Sequence, residues 1–249
     1  MPKMNPCLIL TRNNLALTKR CVDSVRKQDI SAAPFIFDNG STDGTKDWLR
    51  DEKIWTYDLD KHGWDSSINI GVSKGWNKSL KHLFGLIGLG RCEHVLVVGN
   101  DTFLPEFFLS SLLALDLPFV TGFAVEDMDE LRKPEIIHTE PYPDFSAFLI
   151  RRDCWEKVGF FNEAMVSWAS DCDYHVRAHR AGISLRKANI PFYHVRSSTM
   201  RLAPSEERVK LSEQANKDRD VFRSIYGVIP GQPGYDALFS DETFGINKK

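Results

Sequence analysis

The 249-residue chain has no run of about 18 apolar residues, the length that a membrane-spanning helix requires. Its opening residues, MPKMNPCLILTRNN, hold an apolar run of only four, too short for a signal-peptide core. A soluble, cytoplasmic protein with no transmembrane segment is therefore expected. An excess of one charge is missing too: 32 Lys and Arg stand against 34 Asp and Glu, a formal net charge of -2. Such a balance sets up no global field that draws nucleic acid or an anionic membrane. The five cysteines, Cys7, Cys21, Cys92, Cys154 and Cys172, are odd in number and form no CxxC pair. Zinc clusters and dithiol redox centres lose their usual signature, and reduced, mostly buried thiols are expected. Internal repeats and low-complexity tracts are also absent. What is present, 42% hydrophobic and 27% charged residues, suits a globular protein of one large α/β domain or two small ones.

Along the first half, short apolar runs alternate with helical patterns, which argues for parallel βαβ units. CLIL precedes NLALTKRCVDSVRKQ, where Leu15, Thr18, Val22 and Val25 share one helical face. FIF is the second expected strand, followed by a short helix at TKDWLRD; IWTY reads as a third strand. A helix over 68–88, a fourth strand at HVLVV, a helix from LPEFF and a fifth run at PFVTGF complete this half. Residues 126–144 are acidic, carry three prolines and lack periodicity, so they read as a long surface loop. Beyond them come FSAFLI, the helices RDCWEKV and SDCDYHVRAHRAG, then ISLRKA and IPFYHV. Residues 204–226 read as a charged helix, and 227–249 as an extended tail lying on the body.

Polar residues cluster just after three expected strands: Thr11, Arg12 and Asn13; Asp38, Asn39 and Gly40; Asn100 and Asp101. In an open parallel sheet, ligands bind in the crevice at such strand ends. The stretch FDNGSTDGT fits a tight turn as readily as a polar pocket, because Asp, Asn, Gly, Ser and Thr are also the residues of turns and helix caps.

LILTRNN, FDNGSTDGT, NIGVSKGWN, VVGNDT followed by LPEFF, and SDCDYHVRAHRAG with YH beyond it occur in the order of the family-2 glycosyltransferases, which the chain resembles over roughly residues 7–196. The resemblance implies an α/β GT-A fold, Rossmann-like with a mostly parallel central sheet flanked by helices, here with a helical C-terminal extension. It implies transfer of a sugar from a nucleotide-sugar donor to a hydroxyl-bearing acceptor. Asp38 would accept the ring N–H of the base, with Thr11 and Arg12 lining the same pocket. Asn69, Gly71 and Asn77 belong to the helix-start motif, where glycine lets backbone approach the donor; Lys74 is a candidate phosphate contact. GND stands where the family carries its metal motif, so Asn100 would line the donor site. Asp101 would hold a divalent cation, Mn or Mg, helped by His194. WASDCD resembles the acidic motif of the acceptor side: Asp171 matches the catalytic base, Asp173 a supporting acid, and Trp168 a stacking platform.

Each assignment has a plainer alternative: the glycines as close packing, His194 as an ordinary hydrogen-bonded residue, Asp171 as a helix cap, Trp168 as core. His175 and His179 share a helical face, but without the HExxH glutamate or a third ligand they read as a solvated or packed pair. The leading expectation is a metal-dependent inverting glycosyltransferase using a nucleoside-diphosphate sugar, UDP first. Residues 1–200 would form the catalytic domain, with a donor half at 1–122 and an acceptor half at 123–200; 201–249 would be a C-terminal helix and tail. The alternatives are a nucleotidyltransferase, whose glycine-rich phosphate loop TRNNLALTK lacks, and a nucleotide-sugar-binding module without turnover, which Gly99 and Ser170 keep open because acids are common there. The acceptor stays open among a glycan, a lipid-linked sugar, a protein side chain and a modified nucleobase, and the sequence sets no oligomeric state.

Overall fold

The computed structural model describes residues 5–57, 65–85, 92–141, 143–196 and 198–239. A mixed sheet of eight strands forms its centre, in the order β2-β1-β3-β7-β5-β8-β4, with β6 also on β8. Strands β1 (Asn5–Thr11), β2 (Ala32–Asp38) and β3 (His94–Gly99) run parallel. β7 (Ala147–Arg151) lies antiparallel between β3 and β5 (Phe119–Val125), and β8 (Arg186–His194) runs parallel to β5. The short β4 (Thr102–Phe103) and β6 (Thr139–Glu140) oppose β8. Five strands, β1, β2, β3, β5 and β8, thus share one direction.

Strand alternation divides the core between the two faces of the sheet. Cys7 and Ile9 of β1, with Leu96 and Val98 of β3, join α1 (Leu15–Arg26), α2 (Thr45–Asp51) and α4 (Phe108–Ala114) on one side. Leu8, Val95 and Val97 face α3 (Val72–Gly85), α5 (Arg152–Val158) and α6 (Ser170–Arg180) on the other. On α1 the buried residues are Thr18, Cys21, Val22, Ser24 and Val25, so the expected face holds except for Leu15. A third, smaller cluster lies under α8 (Ser205–Tyr226), where Phe222 is fully buried. Burial of one such aromatic ring stabilises the fold by about 1.5–3 kcal/mol. A short α7 (Ser198–Leu202) precedes α8.

Three expectations need correction. IWTY is not a strand: it makes a single bridge, Ile36 to Thr56, through two backbone hydrogen bonds to Ile36. Its β-forming aromatics pack rings, Trp55 on Phe35 and His82 and Tyr57 on Phe37, without continuing the ladder. ISLRKA and IPFYHV, read as separate segments, share one continuous strand, Arg186–His194. The loop at 126–144 carries a 3-10 turn at Met128–Glu130 and the two residues of β6. The expected continuation of α3 to residue 88 and the tail beyond residue 239 fall outside the described residues. Residues 227–239 do lie on the body, with Leu238 buried.

Candidate functional site

The stretch FDNGSTDGT is built largely as a turn. Asn13 and Asn14 both take the left-handed conformation that asparagine tolerates, which reverses the chain from β1 into α1. Asp43 Oδ2 accepts the Leu15 N–H at 2.9 Å, satisfying one of the unpaired donors at the start of α1. Asp43 Oδ1 accepts the Thr45 hydroxyl at 2.6 Å at the start of α2, and Ser41 Oγ accepts the Asn13 N–H at 2.7 Å. Asn39 bridges to the next segment, with its Oδ1 accepting the Ile70 N–H and its Nδ2 donating to the Gly71 carbonyl. One group is left over. Asp38 Oδ2 is buried with no hydrogen-bond partner, and Lys46 Nζ stands 3.9 Å away. Burial pushes the Asp38 carboxyl above its usual range, opposed by Ser41 and Lys46.

A cavity of about 480 Å³ opens at the carboxyl ends of β1 and β3. Thr11 and Arg12, Asn69 and Gly71, Asn100 and Asp101, and His194 all line it, so most of the expected donor residues converge. Thr11 is buried and shares a 2.8 Å hydrogen bond with Thr18. Asn100 donates to the Asn13 carbonyl and to Thr18 Oγ1, which locks the end of β3 to the start of α1. Asn69 Oδ1 accepts the Gly71 N–H. Gly71 has φ +88°, and a Cβ there would stand 2.5 Å from Val166 Cγ1, so only glycine lets α3 start against the 166–168 segment.

Asp101 and His194 face each other at the metal-motif position, His194 Nε2 lying 3.4 Å from Asp101 Oδ2. The Ser198 hydroxyl donates to the same oxygen at 2.7 Å. Burial alone would push the Asp101 carboxyl up, but His194 and Ser198 outweigh it and hold it below the usual range. His194 Nδ1 is buried without a partner. At Gly99 a Cβ would stand 2.9 Å from Asp101 Oδ1, so glycine keeps space beside that oxygen.

Five expected site residues are not on the cavity wall. Asp38 and Lys74 lie outside its lining. Asp171, in the first turn of α6, is half-buried and its Oδ1 accepts the Cys172 N–H at 2.8 Å. Burial raises its carboxyl above the usual range, the Cys172 N–H opposes this, and nearby Asp144 adds to the rise. The expected acceptor-side role of Asp173 needs correction, because the residue is buried and committed. Arg177 Nε and the Tyr226 hydroxyl each donate to it at 2.8 Å, tying α6 to α8. Trp168 is no open platform either: the Arg219 guanidinium lies 4.6 Å from its ring centre. Asn77 braces α3 against the Phe161 backbone, and His175 and His179 pack their rings on Phe239.

Sequence reasoning missed the contribution of α8, which lays Glu207, Lys210, Leu211 and Gln214 along the cavity. Asp218 of the same helix is fully buried and accepts the backbone N–H groups of Val166, Ser167 and Trp168 at 3.1, 2.8 and 2.7 Å. A lone acid in a charged helix carries no signal of such burial.

No family model matches the chain. Proteins of Mycobacterium tuberculosis and Mycobacterium bovis, named only as uncharacterized, are 26% identical over 148 residues, 51% of this chain. The match spans 56% of the length of those curated relatives. Among solved structures, glucosyl-3-phosphoglycerate synthase from M. tuberculosis, in complex with Mn2+, UDP and glucosyl-3-phosphoglycerate, is similar with TM-score 0.60 and 14% identity. That likeness covers 92% of this chain and 82% of the other. The mannosyltransferase PcManGT from Pyrobaculum calidifontis, in complex with GDP-Man and Mn2+, gives TM-score 0.57 and 13% identity over 99% and 81%. S. aureus TarS gives 0.55 and 14% over 98% of this chain and half of TarS. The chain has a GT-A fold.

In this GT-A chain, Asp101 and His194 bring one carboxylate and one imidazole together beside the end of β3. Among the described residues, no group of three or more His, Cys, Asp or Glu side chains is placed to hold an ion. Asp101 and His194 nonetheless fit a hard divalent cation that takes its remaining oxygens from a ligand's phosphates and water, as Mg2+ commonly does. The orphaned His194 Nδ1 and the space that Gly99 keeps beside Asp101 support that fit. No helix among the described residues is long and apolar enough to cross a membrane.

Proposed function

We propose that the protein is a metal-dependent, inverting glycosyltransferase that moves a sugar from a nucleoside-diphosphate sugar, UDP-linked, to a hydroxyl-bearing acceptor. The observation that carries this reading is the meeting of Thr11, Arg12, Asn100, Asp101 and His194 in one cavity at the strand ends of a GT-A fold. Support also comes from similar structures that were solved with UDP or GDP-Man and Mn2+. Residues 1–122 then hold the donor and 123–200 the acceptor side, with 201–249 as the C-terminal helix and tail. Asp38 Oδ2, with no hydrogen bond among the described residues and Lys46 at 3.9 Å, would accept the ring N–H of uracil once the base reaches past the cavity lining. The five cysteines form no disulfide among the described residues, which fits the cytoplasmic location that belongs to this reading.

In the reaction, a bond forms between the acceptor oxygen and the anomeric carbon while the bond from that carbon to the diphosphate oxygen breaks. The electron pair leaves with the diphosphate, and Asp171 takes the acceptor proton on the opposite face. Its raised carboxyl pKa makes it a better base than an exposed aspartate. Asp101 and His194 would hold a divalent cation that, when bound, neutralises charge on the departing diphosphate. One observation favours a second reading, a binding module without turnover: Asp171 is not on the cavity wall.

Thermal melting with a panel of nucleoside diphosphates and nucleotide-sugars, with and without Mn2+, tests the proposal. A ligand at 100 times its Kd stabilises by about 2.7 kcal/mol. UDP should raise the melting temperature in a Mn2+-dependent manner, and Asp101→Ala should remove that dependence with the fold intact. No response to any nucleotide sinks the reading; binding without donor hydrolysis or transfer selects the module.

A further inference from the structure

Helix α8 lines the cavity from its first turn, where Glu207 lies. Glu207 Oε1 stands 2.7 Å from Arg12 Nη2, so an ion pair joins α8 to the end of β1 within the cavity lining. Glu207 engages that one nitrogen of a guanidinium fork that offers five N–H donors. Arg12 Nε is buried without a partner. Lys210, three residues after Glu207, lines the same cavity, is exposed, and has no hydrogen bond or ion pair among the described residues. Of the two carboxylates in the lining, Asp101 faces His194 and Glu207 takes one nitrogen of Arg12, so guanidinium N–H donors and the Lys210 ammonium are left without an acceptor among the described residues. A planar fork with free donors suits an oxyanion with several acceptor oxygens.

We propose that Arg12 and Lys210 form a phosphate subsite, and that Glu207 holds Arg12 in the place of that phosphate when the cavity is empty. The subsite rests on the nucleotide-sugar reading for its two natural sources, the donor diphosphate and a phosphate carried by the acceptor. Its chemistry is the same for both. Arrival of the phosphate sets its negative charge beside the Glu207 carboxylate on the same guanidinium, and that repulsion displaces Glu207 and frees the first turn of α8 from β1.

Calorimetry on the full chain, in Mg2+ and in EDTA, tests this, with uridine, UDP and inorganic pyrophosphate as probes and Glu207→Gln and Lys210→Met as variants. Neither side chain is buried, and melting curves check that each variant folds. Glu207→Gln removes the competing charge and should tighten UDP and pyrophosphate about two- to fivefold. Lys210→Met should weaken both about tenfold, and uridine should respond to neither variant. Inorganic phosphate titrated onto the UDP- and Mg2+-saturated protein separates the sources. Binding sensitive to Lys210→Met assigns the subsite to the acceptor, whereas competition between phosphate and UDP assigns it to the donor. If pyrophosphate responds to both variants while UDP binds no better than pyrophosphate, the subsite stands and the nucleotide-sugar reading falls. If UDP binds tightly and neither variant changes UDP, pyrophosphate or phosphate affinity, or if Glu207→Gln weakens them, the subsite is overturned alone.

Discussion

Asp218→Ala should be among the most damaging single substitutions in the C-terminal helix. The carboxylate is fully buried and accepts three consecutive backbone N–H groups, the Ser167 hydroxyl and the Gln214 amide. Alanine leaves three backbone donors in a part-buried segment without an acceptor, each costing about 1–3 kcal/mol if nothing replaces it. Relaxation and water entry at the part-buried ends reduce the sum to about 3–5 kcal/mol, the range for removing one partner of a buried charged network. At about 2–4 °C per kcal/mol for a chain of this size, the melting temperature should fall by about 10 °C. Val166 and Ser167 line the cavity, so ligand affinity should fall as well. Differential scanning calorimetry of Asp218→Ala beside Asp220→Ala reads the effect. Asp220 makes only an exposed pair with Arg223 and should be nearly silent. A drop under about 2 °C for Asp218→Ala would refute the idea that α8 clamps the 166–168 segment.

Gly71→Ala combines a left-handed φ with a collision against Val166, and should destabilise by about 2–4 kcal/mol in urea unfolding; a loss under about 0.5 kcal/mol would show that the segment yields freely. Asp171→Asn keeps the size and the hydrogen bond to Cys172 but not the base, so transfer at saturating donor should fall about 10²- to 10⁴-fold with donor affinity nearly unchanged. The acid limb of the wild-type rate profile should lie above the usual aspartate value of about 3.9, because burial favours the protonated form; a limb at or below that value contradicts the assignment. His175 is held down to about 4 by burial and by His179, against 6.5 for the free side chain. The unfolded chain then takes the proton first as pH falls, so stability drops between about pH 6.5 and 4 by up to about 3 kcal/mol and levels off below. Urea titrations of wild type minus His175→Gln across that range should show the drop, and a flat difference would refute it.

The sheet strands were legible because a short apolar run is a local property: CLIL and HVLVV read as strands before any partner is known, and the structure then puts Cys7, Ile9, Leu96 and Val98 on one buried face and Leu8, Val95 and Val97 on the other. The ends of α1 and α6 were legible for the same reason, as were the polar residues at the strand ends that meet in the cavity. Direction was not. FSAFLI reads as apolar in either orientation, and only packing between β3 and β5 made β7 antiparallel. IWTY has strand propensity but found one bridging residue and ring partners in place of a ladder. The acidic motif near α6 was visible, yet its two acids parted company when Arg177 and Tyr226 claimed Asp173. Nothing local distinguishes Asp218 or Glu207 from the other charges of a 22-residue helix. Their roles depend on segments about 50 and 195 residues away in the chain, brought within hydrogen-bond reach by burial of Phe222 and its neighbours. Periodicity extends over a few turns and carries no information about such distant partners, so the cavity's second wall was decided by tertiary packing alone.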